Sequence, residues 1–326
     1  MKDNKELSFS VIIPLYNKAK FIEIALISLL SQELLPDEII IVEDCSNDNS
    51  YEVANNFIER SELKHLFRLV RNRENSGPGI TRNYGIQQAK SDYLIFLDAD
   101  DRLDSKHIYN LEKCIKLTQA KLLVTRVKYS RSNTILPSLM IDKYCNTQNP
   151  SCYIITNPFK AMEYESIFVS ANYCFNAVFF KGFLFSSERN FEDWKFCYGM
   201  LKKLANDGKQ IYLIPHATYQ YTEDDPSSLS SGNITDLSQV CIPSIYFDLE
   251  KDGECGIRKL IFSIWAFNVI KRLSSIKYKI KFIRIYKNFI YENFIINKYY
   301  LGIFLLFLLP SKSIQRTIDF IKSIFR

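Results

Sequence analysis

Residues 93–101 read YLIFLDADD: a run of Tyr93-Leu94-Ile95-Phe96-Leu97 passes directly into Asp98-Ala99-Asp100-Asp101. A short, continuous apolar run is the pattern of a strand covered on both faces, and the abrupt change to carboxylates marks its carboxyl end. The stretches before it repeat the idea. Strands are predicted over 9–14 (FSVIIP), 38–42 (EIIIV), 66–70 and 92–97. Between them lie helical patterns over 18–32, 50–60 and 81–90, the first with Phe21, Ile22, Ala25 and Leu29 on one face. Such alternation predicts an α/β fold with βαβ units, right-handed crossovers and a mainly parallel sheet.

In a sheet of this kind ligands bind beyond the carboxyl ends of the strands. The first strand leaves through Pro14-Leu15-Tyr16-Asn17, the second through Glu43-Asp44 and the fourth through Asp98–Asp101, so polar groups converge on one edge. The plain alternative for any one of these acids is a helix cap. Asp98 and Asp100 offer hard oxygen ligands suited to Mg²⁺ or Mn²⁺. The chain has three His, none near another, which argues against a zinc site. Residues 75–85, NSGPGITRNYG, place glycines before a helix start, with Arg82 in reach of a diphosphate. No Lys-Ser/Thr follows, so this is not a P-loop.

Composition sets the limits around this core. The chain has 326 residues, 47% of them hydrophobic, with 10 Gly and 10 Pro, which excludes disordered and collagen-like classes. Eight scattered Cys, with no CxxC pair and no signal peptide pattern before them, suit free thiols in a reducing, cytoplasmic compartment. The net charge of +6 is unevenly placed. Residues 256–326 hold fourteen Lys/Arg against Glu292 and Asp319, and the remainder is net acidic.

Beyond residue 120 the pattern weakens. Strands are expected over 121–129, 175–181, 210–214 and 217–221, and helices over 157–164 and 192–206. His65, His107 and the Lys and Arg of the body read as surface residues. In the tail, 257–273 and a stripe of Ile276, Ile280, Ile283 and Ile290 are helical, with Lys277, Lys281 and Arg284 beside the stripe. The uncharged stretch between Lys298 and Lys312, 299–311, is shorter than the ~20 residues a spanning helix needs. Basic helices of this kind suit an anionic membrane surface, or pack on a catalytic body. No nucleic-acid-binding module is recognisable.

Four stretches in order, Val11–Asn17 (VIIPLYN), Glu38–Ser50 (EIIIVEDCSNDNS), Asn75–Gly85 and Phe96–Asp101 (FLDADD), together resemble the motifs of bacterial family 2 glycosyltransferases. The resemblance is clear over residues 8–130 and fainter to about 225. It implies a GT-A fold, with a catalytic domain over 1–230 (a nucleotide-binding half at 8–130 and an acceptor half at 131–230) and a helical extension over 231–326. It implies a nucleotide-sugar site of Pro14, Tyr16, Glu43, Asp44, Gly79, Arg82, Asp98 and Ala99. Asp44 would accept from the nucleobase, and Asp100, with Asp98, would hold Mn²⁺ or Mg²⁺. Cys45 stands where the family usually has glycine. The general base of the family is the Asp of a Glu-Asp pair at a helix start, which Phe191-Glu192-Asp193-Trp194 matches at Asp193. By residue type alone, Glu192 and Asp193 are equally readable as first-turn acids favoured by the helix dipole. His216 and residues 219–228 resemble the segment after the last core strand, with Asp224, Asp225 and Ser228 as lesser candidates.

The resemblance implies an inverting enzyme that adds a single sugar, from a UDP-sugar, to a glycan or lipid-linked acceptor in cell-surface polysaccharide assembly on the cytoplasmic face of the membrane. Two rivals stand beside it. A phosphatase of the haloacid dehalogenase type also places DxD after a strand, but wants Thr or Val shortly after, where this chain has Arg102-Leu103. A non-catalytic nucleotide-sugar-binding protein on the same fold would not need Asp98, Asp100 and Asp193 together.

Overall fold

A computed structural model describes residues 6–223, 234, 236–237, 240–273 and 275–294. They belong to two compact units, Met1–Asp225 and Pro226–Arg326. The first opens with strict alternation: β1 (Phe9–Leu15), α1 (Ile22–Leu30), β2 (Glu38–Glu43), α2 (Ser50–Arg60), β3 (Phe67–Arg71), α3 (Pro78–Gln88) and β4 (Tyr93–Phe96). There follow β5 (Arg102–Leu103), α4 (His107–Thr118), β6 (Leu122–Tyr129), β7 (Ile135–Leu136), a 3₁₀ turn at Leu139–Tyr144, β8 (Cys145–Asn146), β9 (Tyr153–Ile155), α5 (Pro158–Met162), β10 (Tyr173–Asn176), α6 (Glu192–Asn206) and β11 (Ile211–Tyr221).

The strands form one mixed sheet in the order β3-β2-β1-β4-β10-β6-β11-β9-β8, with β5 on β11 and β7 on β6. Strands β1 to β4 are mutually parallel, with Val11 opposite Ile39 and Ile95 and Ile13 opposite Ile41. Antiparallel β10 lies between β4 and β6, and β11 runs parallel to β6. Val11, Ile12, Ile13, Ile39, Ile40, Ile41 and Phe96 are all fully buried, as strands covered on both faces require. The order reverses between β1 and β4, so the exits of β1, β2 and β4 flank the switch point where such sheets bind ligands.

Glycines set how closely α3 lies on this sheet. A Cβ on Gly85 would stand 2.3 Å from Ile12 Cγ2, so only glycine allows the contact with β1. Helix α3 starts cleanly because Gly77 takes φ 82° and Pro78 supplies the first helical residue.

Three expectations are corrected. The strand predicted over 175–181 is β10, which stops at Asn176: the Asn176 side chain accepts from Phe179 N–H at 2.9 Å and turns the chain. The two strands over 210–214 and 217–221 are one strand, β11, whose register slips around Pro215, a residue with no N–H to give the ladder. His107 is 2% exposed, its Nδ1 2.9 Å from Thr218 Oγ1, and burial pushes its pKa down to about 4. Arg126 is buried too, donating to the carbonyls of Pro137 at 3.2 Å and Pro215 at 3.1 Å. His65 is exposed.

The second unit contains α7 (Ser244–Lys251), α8 (Cys255–Arg272), α9 (Ile276–Ile285) and α10 (Lys287–Phe294). Ile257, Ile261, Phe262, Trp265, Ala266, Val269 and Ile270 form the buried stripe of α8 at helical spacing. Tyr246, Phe262, Trp265, Phe282 and Tyr286 pack ring to ring around it. No helix among the described residues is long and apolar enough to cross a membrane. Asp224, Asp225, Ser228 and the stretch 299–311 lie outside the described residues. All eight cysteines are free.

Candidate active site

The exit of β2 is held by buried carboxylates. Asp44 is 3% exposed: Oδ1 accepts from Asn72 Nδ2 at 2.7 Å and from Ser76 N–H at 2.8 Å, and Oδ2 from Gly77 N–H at 2.9 Å. Asp44 therefore fastens the glycine loop to the end of β2. Glu43 accepts from Ser46 N–H and pairs with Arg71 Nε at 2.7 Å. Cys45 holds φ 56°, the left-handed conformation glycine adopts freely, and its thiol reaches Asn72 O at 3.2 Å. Beside this exit, Pro14 and Tyr16 leave β1 partly accessible, with Tyr16 Oη 3.3 Å from Asn47 Nδ2.

At the exit of β4 the side chains converge. Arg82 enters from α3, and its Nη2 donates to Asp98 Oδ1 at 2.6 Å. Its Nη1 lies 3.4 Å from Glu192 Oε1, and the guanidinium sits over Phe185 at 5.6 Å. Burial alone would lower the pKa of Arg82, but Asp98, with Tyr173 and Glu192 behind it, raises it above its ordinary value. Asp98 Oδ2 accepts from Ser170 Oγ at 3.0 Å. Asp100 pairs with Lys18 at 2.8 Å, and Ala99 is buried between the two acids.

Helix α6 brings the third part. Phe191, at φ 62°, turns the chain so that Glu192 and Asp193 open the helix. Burial pushes Glu192 up to about 7, and the adjacent Asp193 adds to the shift. Burial also raises the pKa of Asp193, whose Oδ1 accepts from Trp194 N–H at 2.8 Å. The approach of α6 to the glycine loop is tight. A Cβ on Gly79 would meet Glu192 Cγ of α6 at 3.0 Å, and Ser186 O at 2.9 Å and Phe185 Cβ at 3.1 Å in the segment before it. Asn83 and Phe185 exchange two hydrogen bonds, at 2.9 and 2.8 Å.

Asp98, Arg82 and Glu192 are thus in direct contact, with Asp193 next along the helix. Glu43 and Asp44 brace the neighbouring exit. Arg82 is turned inward onto two carboxylates. Sequence reasoning missed Lys18, Asn72, Ser170, Asp101 and Tyr219. Asp101 had a visible signal, as the third acid in a run of four residues. Burial, then the charges of Asp98 and Asp100, push its carboxyl well above the usual range. Ser170 had none, because only the tertiary fold brings it to the β4 exit, and Tyr219 opened the 219–228 segment of the resemblance without being singled out.

The donor set suits Mg²⁺ or Mn²⁺. Among the described residues no group of three or more His, Cys, Asp or Glu converges on a cation position. A cation shared with substrate phosphates needs only one or two protein carboxylates. Asp100 meets that requirement: it stands partly accessible at the exit, and a cationic ammonium already rests on it.

The family model for glycosyl transferase family 2 matches residues 10–187. An uncharacterized glycosyltransferase of Haemophilus influenzae is 27% identical over 275 residues, covering 83% of this chain and 97% of that protein. The poly(ribitol-phosphate) beta-N-acetylglucosaminyltransferase TarS of Staphylococcus aureus is 30% identical over 124 residues, covering 37% of this chain and 21% of that protein, so the match spans about a fifth of the relative. A crystal structure of TarS 1–349 in complex with UDP-GlcNAc resembles this one with a TM-score of 0.57 at 20% identity, over 82% of this chain and 71% of that one. A mannosyltransferase from Pyrobaculum calidifontis in complex with GDP-Man and Mn²⁺ gives a TM-score of 0.50 at 17% identity, over 69% and 59% of the two chains. At these identities the two structures speak to the fold, the mainly parallel α/β sheet of GT-A type.

Proposed function

The chain belongs to glycosyl transferase family 2, and on that premise we propose that it is an inverting transferase that moves one sugar from a nucleotide sugar, a UDP-sugar, to a glycan or lipid-linked acceptor in cell-surface polysaccharide biosynthesis. The observation that carries the reading is the Asp98–Arg82–Glu192 chain, which ties the acid at the β4 exit to the helix end bearing Asp193. The carboxyl ends of β1, β2 and β4 form the donor side, with the partly accessible Pro14 and Tyr16 toward the nucleotide and the buried Asp44, Gly79 and Ala99 shaping the loops behind them. TarS supports the UDP-sugar and the polysaccharide setting by analogy.

Asp193 is the base. Its carboxylate takes the proton of the acceptor hydroxyl as that oxygen bonds to the anomeric carbon from the face opposite the diphosphate. The bond from the anomeric carbon to the diphosphate oxygen breaks, and the nucleoside diphosphate leaves with that electron pair. Buried surroundings raise the proton affinity of Asp193 toward what a base working near neutrality needs. When bound by Asp100 and Asp98, Mn²⁺ or Mg²⁺ neutralises charge on the diphosphate. Arg82 orients Asp98 and supplies a fixed positive charge behind it. The basic helices of the second unit place the enzyme on the cytoplasmic membrane surface, near a lipid-linked acceptor.

Calorimetry with UDP, GDP and dTDP in the presence of Mn²⁺ tests the donor side. UDP binds with a metal-dependent heat, and Asp100→Ala weakens it. Absence of metal-dependent binding for all three nucleotides would sink the reading. Asp193→Asn retains UDP binding and loses transfer; retained turnover would remove Asp193 as base.

A further inference from the structure

Asp101 lies one residue past the acids assigned to the cation, and its carboxyl shares two partners with Asp98. It is 1% exposed, and neutral donors surround its carboxyl. Oδ2 accepts from Tyr219 Oη at 2.7 Å and lies 3.3 Å from Ser170 Oγ, and Oδ1 accepts from Thr222 N–H at 2.8 Å. Two of these partners also hold Asp98. Tyr219 Oη accepts from Asp98 N–H at 3.3 Å, and Ser170 Oγ, with its single proton, lies closer to Asp98 Oδ2 at 3.0 Å. Ser170 is held at φ 53° to reach both, a conformation a non-glycine residue adopts at a cost. Asp101 therefore meets Asp98 by two routes, one to its backbone and one to its carboxylate. The remaining oxygen of Asp98 belongs to Arg82.

Resting on the glycosyltransferase reading, we propose that Asp101 is a positioning residue. Through Tyr219 and Ser170 it fixes the turn after β4 and the orientation of the Asp98 carboxylate, so that Asp98 and Asp100 are set for a divalent cation and the diphosphate it accompanies. It touches neither sugar nor nucleotide. Its anchor is the end of β11, which pairs with β5 through Tyr219 and Leu103 just beyond the acids. Partners that orient ligating carboxylates cost about 10–100-fold in metal affinity when removed.

The test uses the full-length protein, UDP and Mn²⁺. UDP binding is followed by calorimetry across a Mn²⁺ titration for the wild type, Asp101→Asn and Tyr219→Phe, with melting curves alongside. The Mn²⁺ concentration for half-maximal UDP binding should rise about 10–100-fold in each variant, and UDP affinity should return to the wild-type value at saturating Mn²⁺. A purely structural role would lower the melting temperature and leave the Mn²⁺ midpoint in place. A midpoint within twofold of wild type, or an equal loss of affinity at every Mn²⁺ concentration, overturns the assignment. Tyr219→Phe, which removes one oxygen from a buried ring, decides the matter if Asp101→Asn does not fold. A wild type that binds no nucleotide with Mn²⁺ refutes the donor reading itself, and this inference with it.

Discussion

At the scale of single residues, the site is a set of buried charges that neutralise one another incompletely. Glu192 is the clearest case: Arg82 stands 3.4 Å away and is already committed to Asp98 at 2.6 Å. Its carboxyl is pushed from an ordinary 4.5 up to about 7, so between those values the folded protein holds a proton that the unfolded chain has released. Folded-state stability from this group is present at pH below about 4.5 and is lost as pH rises through about 7. Glu192→Gln should therefore leave stability at pH 5 nearly unchanged and raise it relative to wild type at pH 8. The gain would be on the order of 3 kcal/mol by the shift, read from urea unfolding at the two pH values. Equal differences at both would show that Glu192 titrates normally. Some of this chemistry was legible in the letters. Asp98, Asp100 and the Glu192-Asp193 pair stand out as acids at element ends. Arg82 was visible as a cation beside glycines, but its direction was not, because only packing under Phe185 turns it inward. The Cys45 letter concealed a backbone that stays left-handed without glycine.

Elements were legible where one local pattern decided them. The strands β1, β2 and β4 are built on apolar runs (Val11–Leu15, Ile39–Val42 and Tyr93–Phe96), and α2 and α6 occupy the ranges their periodicity predicts. The two-residue strands β5, β7 and β8 carry no period to read, and β10 reverses direction between two parallel neighbours for reasons that lie in the sheet. Helix α4 was missed although Ile108, Leu111 and Ile115 are its buried face at helical spacing. The α3–β1 contact is the element-scale feature most exposed to a single change. Gly85→Ala places a methyl 2.3 Å from Ile12 Cγ2, in a helix whose far side is fixed by the Asn83–Phe185 bonds. Overpacking of this kind costs about 1–3 kcal/mol. Urea unfolding should show that loss, although alanine is the better helix former. An unchanged or increased midpoint would mean that α3 can lift from the sheet, and the rigidity attributed to Arg82 would go with it.

Across the whole molecule charge is divided unevenly. The acidic body carries its carboxylates at strand ends, while the second unit gathers cations on helices. On α9, Lys277, Ile280, Lys281, Arg284 and Ile285 are exposed, whereas Phe282 is fully buried among aromatic rings. The helix thus spends one face on its own core and presents cations with two isoleucines on the other. That combination suits an anionic leaflet, where each basic residue contributes about 1 kcal/mol. Full-length protein should float with liposomes containing anionic lipid and stay behind with neutral ones. The triple variant Lys277→Glu, Lys281→Glu, Arg284→Glu leaves the buried face intact. It should fold normally and lose at least about 3 kcal/mol of that attraction, roughly a hundredfold in partitioning. Raised salt should weaken the wild type in the same direction, because the attraction acts over a Debye length. Flotation of the triple variant equal to wild type would assign the cations of α9 to the solvated side of a packing helix, and membrane placement would then need another surface.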